Sequence, residues 1–257
     1  MGILNVTPDS FSDGGRYVDL ESAIDHGHLM VKDGAGIIDV GGESTRPGAQ
    51  PVSVDEELAR VIPVLKAFRD LQVPVSVDTR RPQVMRAALD AGASMINDVQ
   101  ALGQAGALDA VAEGDCAVCL MHMKGSPSDM QSAPHYDDVV GEVRDFLAAR
   151  VAAAVRAGIA RERLLIDPGF GFGKNAAHNL ELLRRLPELV SLGLPVLAGW
   201  SRKSTLGEIT GHPPAGRVAA SIAAALLALV GGARVLRVHD VRETQDAVLF
   251  WEAWSRA

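Results

Sequence analysis

The 257-residue sequence predicts an α/β fold, a (β/α)8 TIM barrel forming one domain over residues 1–257, and three observations support this prediction. Short apolar segments alternate with segments of helical periodicity at intervals of about thirty residues along the whole chain. Eight such apolar segments can be counted, and each has a polar residue at or close to its carboxyl end. No linker or low-complexity tract interrupts the alternation. An open doubly wound sheet is the competing architecture, but it usually has fewer strands in a chain of this length.

The first four strand–helix units are recognised by apolar runs that stop at polar or glycine-rich turns. Strands are predicted at 2–5, 37–40, 74–78 and 95–98, and helices at 20–32, 54–71, 82–91 and 107–113. Pro82 suits the first turn of its helix, where no backbone N–H is needed. The loops after the first two strands are longer than a βα turn requires, which is typical of functional loops.

The second half of the chain continues the pattern. Strands are predicted at 117–121, 164–167, 195–198 and 235–238, and helices at 136–157, 178–189, within 204–230 and at 242–254. The sixth strand is the clearest, because its apolar run ends at Asp167 and a glycine-rich turn follows. The glycine spacing fits neither a dinucleotide-binding loop nor a Walker A loop. We expect a tight turn that brings Phe172 to the strand ends and leaves Lys174 in solvent.

Charge and composition exclude several classes of function. The sequence has 25 basic and 32 acidic residues, a net charge of −7 and no long basic run, so nucleic-acid binding is not expected. The apolar stretch 219–230 is too short to cross a bilayer and is predicted to be a buried helix. The chain opens without a basic leader, so we expect a cytoplasmic protein with no membrane partner.

The two cysteines, Cys116 and Cys119, are spaced as in some metal and redox motifs. They lie in an apolar run that is predicted to be a strand. Residues three apart on a strand point to opposite faces, so these two side chains cannot share a metal ion. We expect two reduced thiols.

Polar side chains stand at the carboxyl end of every predicted strand. In a parallel barrel these ends face one cavity, where the active sites of this architecture lie. The residues concerned are Asn5, Asp39, Asp78, Asn97, His122, Asp167, Ser201 with Lys203, and Arg237 with His239. A purely structural barrel would not need polar residues on all eight strands, so we expect a functional pocket.

These residue types divide into two chemistries. The acceptors and amides Asp78, Asn97 and Asp167 suit the edge of a polar heterocycle, because a carboxylate can accept two parallel hydrogen bonds from an N–H and an amino group. A second set suits a phosphate group and, through an amide oxygen, its Mg²⁺: Asn5, Thr45, Arg46, Arg237 and His239. The pocket is therefore expected to hold a polar ring at one end and phosphate at the other.

Three further positions have structural explanations. Asp39 either orients loop backbone or contacts the ligand, and the sequence does not decide between the two. His122 is expected to be a core histidine with satisfied hydrogen bonds, since no carboxylate near it in the sequence would tune it. Trp200 is expected to pack in the core.

Five segments closely resemble the signature segments of bacterial dihydropteroate synthase. They lie at 2–15, 39–48, 165–174, 201–204 and 237–239, and they read GILNVTPDSFSDGG, DVGGESTRPG, LIDPGFGFGK, SRKS and RVH. The resemblance runs in order from residue 1 to about residue 247. Such a set is far more specific than any one short motif.

The resemblance implies a transferase that joins 6-hydroxymethyl-7,8-dihydropterin diphosphate to p-aminobenzoate, with Mg²⁺ as cofactor. The implied pterin-binding residues are Asp78, Asn97, Val99, Asp167 and Lys203. The implied diphosphate-binding residues are Asn5, Thr45, Arg237 and His239, with Asn5 as the metal ligand. The implied p-aminobenzoate pocket consists of Phe11, Thr45, Arg46, Pro47, Phe172 and Ser204. The implied catalytic residues are Asp78, Lys203, Arg237, His239 and Asp13, with Asp13 near the developing cation.

The chemistry of the implied reaction favours departure of pyrophosphate before attack. An aniline-type nitrogen is a weak nucleophile, whereas the pterin ring can stabilise a cation by electron release, and nearby carboxylates favour that cation. We therefore expect an SN1-like substitution without a covalent enzyme intermediate, and ordered binding in which diphosphate organises the p-aminobenzoate site. The resemblance also implies a homodimer through the last helices, and we expect sensitivity to sulfonamides.

Three alternative functions account for the sequence less well. A pterin-binding paralogue without the reaction would be expected to lack some of Asn5, Arg46, Lys203, Arg237 and His239, all of which are present. A methyltetrahydrofolate-binding methyltransferase barrel does not account for the segments at 46–48 and 201–204. A sugar-phosphate aldolase is the weakest alternative, since no lysine ends a strand in the usual Schiff-base setting.

Two features depart from the family pattern. The family usually carries a short segment ahead of the position of Met1. Trp200 stands where a smaller or flexible side chain is more common in the family.

Overall fold

The computed structural model describes residues 1–6, 15–44, 51–125, 130–131 and 133–256, with backbone alone at 15–19. Within these ranges, short parallel strands alternate with helices. The strands are β1 Gly2–Asn5, β2 Ile38–Gly41, β3 Val75–Asp78, β4 Met95–Asp98, β5 Ala117–Met121, β6 Leu164–Asp167, β7 Leu197–Ala198 and β8 Val235–Leu236. The helices are α1 Gly15–Lys32, α2 Val54–Ala67, α3 Pro82–Asp90, α4 Ala107–Ala112, α5 Val139–Arg156, α6 Ala176–Arg184, α7 Leu186–Val190, α8 Ser204–Thr210, α9 Val218–Val230 and α10 Val241–Ser255.

The strands form a closed ring. Strands β1 to β6 pair in sequence order as parallel neighbours, and β7 pairs with β8. Ile166 of β6 bridges Val196, just before β7, and Gly2 of β1 bridges Val238, just after β8. The ladder therefore continues from the eighth strand back to the first, which confirms the predicted barrel.

The inside of the barrel is polar at one end and apolar at the other. Met95, Cys119, Leu165 and Leu197 form a small cluster of buried apolar residues from four adjacent strands. The larger core lies between the strands and the surrounding helices. Because side chains alternate along a strand, the residue two positions after Met95 points into the same interior, and that residue is Asn97. The apolar cluster thus forms the floor beneath the polar strand ends.

Several predicted elements differ in extent from the observed ones, for local reasons. The predicted helix 178–189 is divided into α6 and α7, and Pro187, which has no N–H to donate, lies in the first turn of α7. Helix α5 begins at Val139 rather than at 136 because the Asp138 side chain caps it by accepting a hydrogen bond from Val140 N at 3.2 Å. Strands β7 and β8 are two residues long, shorter than predicted.

Helix α9 departs from the expectation of a buried helix. Ala224 and Ala228 are buried against the barrel, but Leu227 and Val230 are 59% and 65% exposed. Helix α9 therefore has two apolar faces, of which one packs against the core and the other is exposed on the surface. Among the helices that the structure describes, none is long and apolar enough to cross a bilayer.

Candidate active site

Arg237 forms the centre of the polar strand ends. It lies just after β8, and its Nε donates to Asp39 Oδ2 at 2.6 Å while its Nη2 donates to Asp78 Oδ2 at 2.8 Å. Asn97 Nδ2 donates to the same Asp39 oxygen at 3.2 Å. The structure thus brings together four side chains that the sequence placed at strand ends up to 198 residues apart. We call these four residues the Arg237 network.

Asp39 is the fully buried member of the Arg237 network, with 0% exposure. The sequence left open whether Asp39 orients loop backbone or contacts a ligand, and its observed contacts are with two other side chains, Arg237 and Asn97. A buried carboxylate must be paired with a cation and hydrogen-bonded to be tolerated, and both conditions are met here. Asp39 is therefore a positioning residue that fixes the guanidinium and the amide.

The Arg237 network leaves acceptors directed into the barrel. Asn97 Oδ1 and Asp39 Oδ1 are buried and have no hydrogen-bond partner among the described residues. Because Asn97 donates through its nitrogen to Asp39, the oxygen is the atom it presents to the cavity. Burial raises the pKa of Asp78 to about 7, and the Arg237 guanidinium opposes that rise. The unpaired buried oxygen of Asn97 suits a ligand that donates N–H groups.

Asp167 ends β6 beside a turn that only glycine can form. Its Oδ1 accepts a hydrogen bond from Gly169 N at 2.7 Å. Gly169 has a φ of 66°, and a Cβ atom there would lie 1.9 Å from the His122 carbonyl oxygen. Burial raises the pKa of Asp167, and the cations Lys203, Arg237 and Lys174 are among the groups that oppose the rise. The carboxylate is thus held rigidly at the mouth of the barrel.

Lys203 and Phe172 meet across the cavity. The Lys203 ammonium lies 4.0 Å from the centre of the Phe172 ring, a cation–π contact. Gly171 lies against the lysine stem, since a Cβ at Gly171 would be 3.1 Å from Lys203 Cδ. The preceding Arg202 has a φ of 59°, and its N–H donates to Ser221 Oγ at 3.0 Å. The glycine turn does bring Phe172 to the strand ends, as predicted.

Ser201 orients His239, which the sequence did not indicate. The serine Oγ lies 3.0 Å from His239 Nδ1 and also accepts from His239 N at 3.1 Å. These two contacts fix the position of the imidazole at the end of β8. The sequence placed Ser201 at a strand end, but it did not indicate the pairing with His239, which lies 38 residues away.

The remaining predicted site residues fall into two groups. Asn5 ends β1, where it pairs with Gly41, Val99 is buried directly after β4, and Ser204 begins α8. The predictions for Phe11, Asp13, Thr45, Arg46 and Pro47 lie outside the described residues. Among the residues that the structure describes, no group of three or more His, Cys, Asp or Glu side chains could hold a metal ion.

His122 is a core histidine, as expected, but Lys174 is not in solvent. The Lys174 side chain is 2% exposed, and its Nζ lies 2.9 Å from His122 Nδ1. It also donates to the carbonyl oxygens of Gly169 and Phe172, at 2.9 Å and 3.0 Å. The prediction that Lys174 lies in solvent was wrong because carbonyl groups of the glycine turn point toward the lysine and accept hydrogen bonds from its ammonium.

Trp200 and the two cysteines are structural, as predicted. The Trp200 ring is 2% exposed and packs against Phe170, with ring centroids 4.7 Å apart. Cys116 and Cys119 are buried free thiols, and burial raises the pKa of the Cys119 thiol well above its usual value. None of these three side chains has the exposure that a reactive group needs.

A buried ion cluster anchors the base of the second loop, which the sequence analysis did not single out. Glu43 Oε2 accepts from Arg80 Nε at 3.2 Å, and Glu43 Oε1 accepts from Arg81 Nη2 at 3.0 Å. On the far side of the loop, Val52 N donates to Glu43 Oε1 at 3.2 Å. Arg60 Nη1 also donates to the Gly42 carbonyl at 2.8 Å. Both ends of the loop are therefore fixed on the barrel rim beside Asp78.

Comparison with known proteins finds one family over nearly the whole chain. The model of the family described as pterin binding enzyme matches residues 1–239. The dihydropteroate synthase of Escherichia coli K12 is 54% identical over 254 residues, which are 98% of this chain and 90% of that protein. The structure of Xanthomonas albilineans dihydropteroate synthase with 4-aminobenzoic acid has a TM-score of 0.95 at 58% identity, covering 100% of this chain and 92% of the other. That of the Yersinia pestis dihydropteroate synthase with a sulfonamide drug has a TM-score of 0.95 at 50% identity, covering 100% of this chain and 94% of the other.

Proposed function

The chain belongs to the dihydropteroate synthase family of pterin-binding enzymes, and from this premise we propose how its residues carry out that family's reaction. The reaction joins 6-hydroxymethyl-7,8-dihydropterin diphosphate to p-aminobenzoate, with release of pyrophosphate. The observation that carries the proposal is the Arg237 network, which lines the barrel mouth with fixed acceptors next to a buried guanidinium. This arrangement suits a ligand with N–H donors at one end and an anion at the other.

The pterin ring is proposed to bind between Asp167 and Asn97. The amidine edge of the ring donates hydrogen bonds, and both residues present acceptors, one of which is the partnerless Asn97 Oδ1. Asp78 would meet the opposite nitrogen side of the ring, while Lys203 would donate to the ring carbonyl and adjacent nitrogen. Val99 lies buried behind Asn97 and would pack beneath the ring.

The diphosphate is proposed to bind near the ends of β1 and β8. Two of the three Arg237 nitrogens hold Asp39 and Asp78, so Nη1 is the nitrogen available to a phosphate oxygen. His239, held by Ser201, would donate to a second oxygen. Asn5 and Thr45 would complete this site.

Asn5 also fits the role of a Mg²⁺ ligand. Mg²⁺ prefers oxygen donors and commonly takes few from the protein and the rest from phosphate and water. An amide oxygen at the phosphate end of the pocket meets that requirement, whereas the described residues contain no cluster of three acidic, His or Cys side chains. When bound, the ion would neutralise negative charge on the diphosphate.

The reaction is proposed to proceed by loss of pyrophosphate before attack. Arg237 and His239 would stabilise the charge that develops on the leaving group. The buried carboxylates Asp78 and Asp167 would favour the cation left on the pterin. The p-aminobenzoate nitrogen would then add to that cation, with its ring against Phe172, near Ser204 and the residues Phe11, Thr45, Arg46 and Pro47. Asp13 would lie close to the cation.

A direct assay tests the function. The chain is expected to release pyrophosphate and form dihydropteroate from the pterin diphosphate and Mg²⁺ only when p-aminobenzoate is supplied, and a sulfonamide is expected to compete with p-aminobenzoate. Both products would be quantified by liquid chromatography. Tight pterin binding without turnover would instead identify a paralogue that has lost the reaction.

We propose that the protein is a homodimer that uses α9 and α10. These helices pack together, and five of their apolar side chains are more than half exposed: Leu227, Val230, Leu249, Phe250 and Trp254. Several large exposed apolar side chains on two neighbouring helices are typical of an interaction surface. A cytoplasmic location is also proposed, since both cysteines are free thiols.

Replacing Phe250 with glutamate is expected to convert the dimer to a monomer, because Phe250 is the most exposed of these five apolar side chains and the change places a charge there. Light scattering coupled to size-exclusion chromatography would measure the mass. Val155→Glu is the matched control, since Val155 is an exposed valine on α5, and this variant is expected to remain dimeric. A wild-type protein of about 27 kDa, the mass of one chain, would contradict the dimer.

A further inference from the structure

Lys174 is a buried lysine with a complete set of acceptors, and burial lowers the pKa of its ammonium to about 7, so it is a cation on the acidic side of neutrality. Its Nζ contacts His122 Nδ1 at 2.9 Å, the Gly169 oxygen at 2.9 Å and the Phe172 oxygen at 3.0 Å. The His122 carbonyl lies further away, at 3.4 Å. An ammonium has three donors and no acceptor, so these three close contacts match its hydrogen-bonding capacity. The proposed reaction assigns no role to this group.

The carbonyls that Lys174 holds belong to the turn that positions Asp167. Gly169 donates its N–H to Asp167 Oδ1 at 2.7 Å and offers its oxygen to Lys174. A single residue thus connects the lysine to the carboxylate. Lys174 also donates to the carbonyl of Phe172, and the ring of Phe172 contacts the Lys203 ammonium. The lysine therefore fixes both sides of the turn that faces the barrel mouth.

The same turn has two neutral anchors. Tyr136 Oη donates to the Gly173 oxygen at 2.9 Å, and Asn179 Oδ1 accepts from Gly171 N at 2.8 Å. Asn179 Nδ2 also donates to Thr205 Oγ1 at 3.0 Å, which connects the turn to α8 behind Lys203. These contacts hold the backbone without adding charge. They make it possible to separate anchoring of the turn from the electrostatic effect of Lys174.

Asp167 needs nearby positive charge to act as a hydrogen-bond acceptor for a ligand. The cations that face it are Lys203 from the loop before α8, Arg237 from β8 and Lys174 from its own loop, and the thiol of Cys119 faces it from β5. Arg237 is engaged with Asp39 and Asp78. The groups that face Lys174 in turn are His122, Asp167, Lys203 and Lys124. Lys174 donates directly to two backbone carbonyls of the turn that holds the carboxylate, those of Gly169 and Phe172.

We propose that Lys174 is a positioning residue for pterin recognition, which fixes the glycine turn and keeps Asp167 in its ionised, hydrogen-bond-accepting form. This inference rests on the proposed contact between Asp167 and the pterin. The lysine acts through Gly169 and through its charge, and it does not touch the substrate. His122 supports this role as a neutral acceptor, and burial lowers the pKa of its imidazole to about 3.

The proposal predicts a shift in the pH dependence of pterin binding. Burial raises the pKa of Asp167, and Lys174 is one of the groups that hold it down. Below about pH 7, where Lys174 is charged, removing its charge raises the pKa of Asp167 further, so Asp167 becomes protonated at a higher pH. A protonated carboxyl cannot accept two N–H groups. The acidic limb of the binding profile should therefore move to higher pH in variants that lack the lysine charge.

The experiment measures the dissociation constant of 6-hydroxymethyl-7,8-dihydropterin diphosphate by calorimetry from about pH 5 to about pH 9. Lys174→Met removes the charge and the donors, and Lys174→Gln removes the charge but keeps amide donors. Tyr136→Phe is the matched control, because it removes one buried hydrogen bond to the same turn and changes no charge near Asp167. Asp167→Asn tests the proposed pterin contact. Ionisation of the ligand is common to all variants and cancels in the comparison.

The variants test the role of Lys174 separately from the proposed contact between Asp167 and the pterin. The acidic limb is expected to move upward in both lysine variants and to stay in place in Tyr136→Phe, while Asp167→Asn weakens binding at least about tenfold. Unshifted limbs in folded lysine variants would overturn the inference, as would an equal shift in Tyr136→Phe. If Lys174→Met does not fold, the profile of Lys174→Gln decides. Unchanged binding by Asp167→Asn would instead overturn the proposed pterin contact.

Discussion

Replacing Arg237 with methionine is expected to lower the free energy of unfolding by about 3–5 kcal/mol, because it leaves Asp39 and Asp78 buried without their cation. Methionine keeps an unbranched stem like that of arginine but lacks the guanidinium, so the ion pairs to Asp39 and Asp78 are lost. Chemical denaturation monitored by circular dichroism would measure the change. Turnover should be lost as well, since the guanidinium is proposed to bind the leaving group.

The destabilisation by Arg237→Met should also depend on pH. The pKa of Asp78 is raised to about 7 in the folded protein, above its unfolded value, so its favourable contribution is complete below about pH 4 and is lost as the pH rises through 7. Without the guanidinium the folded pKa rises further, and the loss becomes larger. The variant should therefore be closer to wild type at pH 5 than at pH 8. A loss of equal size at both pH values would contradict this account.

A control separates the Arg237 network from ordinary ion pairs. Arg185 pairs with Glu188 and Asp138 on the surface, and Arg185→Met is expected to change stability little, because exposed pairs are weak. In a double-mutant cycle, Arg237→Met and Asp39→Asn should be strongly non-additive, since either substitution breaks the same contact. Additive effects would show that the two residues do not act together.

Replacing Asp39 with asparagine is expected to lower kcat/KM for the pterin diphosphate roughly 100-fold, although Asp39 is fully buried and is not proposed to touch the substrate. Asp39 Oδ2 accepts hydrogen bonds from both Arg237 and Asn97. Asparagine has a neutral amide in place of the charged carboxylate, so it holds both donors less strongly. The Asn97 amide would lose the contact that fixes which of its atoms faces the pterin. Steady-state kinetics with each substrate varied in turn would measure the effect.

Ser76→Ala provides the comparison for Asp39→Asn. Ser76 is the partner of Asp39 on the adjacent strand, it is fully buried, and its Oγ has no partner among the described residues. Removing that hydroxyl should leave kcat/KM nearly unchanged. If both variants behaved alike, the effect would reflect disturbance of the barrel interior rather than loss of orientation at Arg237 and Asn97.

The fold could be predicted largely from the sequence, because a parallel barrel repeats one local pattern. Strand β4 and strand β5 were located to the residue, since each is a buried apolar run with a polar neighbour at its end. The short length of β7 and β8 could not be predicted, because the length of a strand depends on how far its hydrogen bonds with the neighbouring strand extend. The exposed face of α9 was also missed, since alanine and leucine do not reveal which side meets the core.

The site could be predicted at the level of residue types and strand ends, but not at the level of contacts. Asp78, Asn97, Asp167 and Arg237 all lie where parallel strand ends must meet. The role of Asp39 depends on Arg237, which is 198 residues away, and nothing local to either residue indicates the pairing. Lys174 was wrongly placed in solvent, because a lysine in a loop is usually exposed and only the inward carbonyls of the turn reverse that preference.

The polar residues at the strand ends are proposed to promote departure of pyrophosphate before p-aminobenzoate attacks. The most direct test uses pterin diphosphate with ¹⁸O in the oxygen that bridges carbon and phosphorus, incubated with the enzyme and Mg²⁺ without p-aminobenzoate. Reversible cleavage of the carbon–oxygen bond would let the bound pyrophosphate rotate and return, so the label is expected to appear in non-bridging positions, as measured by ³¹P nuclear magnetic resonance. A label that stays in the bridge, in an enzyme that turns over normally once p-aminobenzoate is added, would contradict the claim and indicate direct displacement.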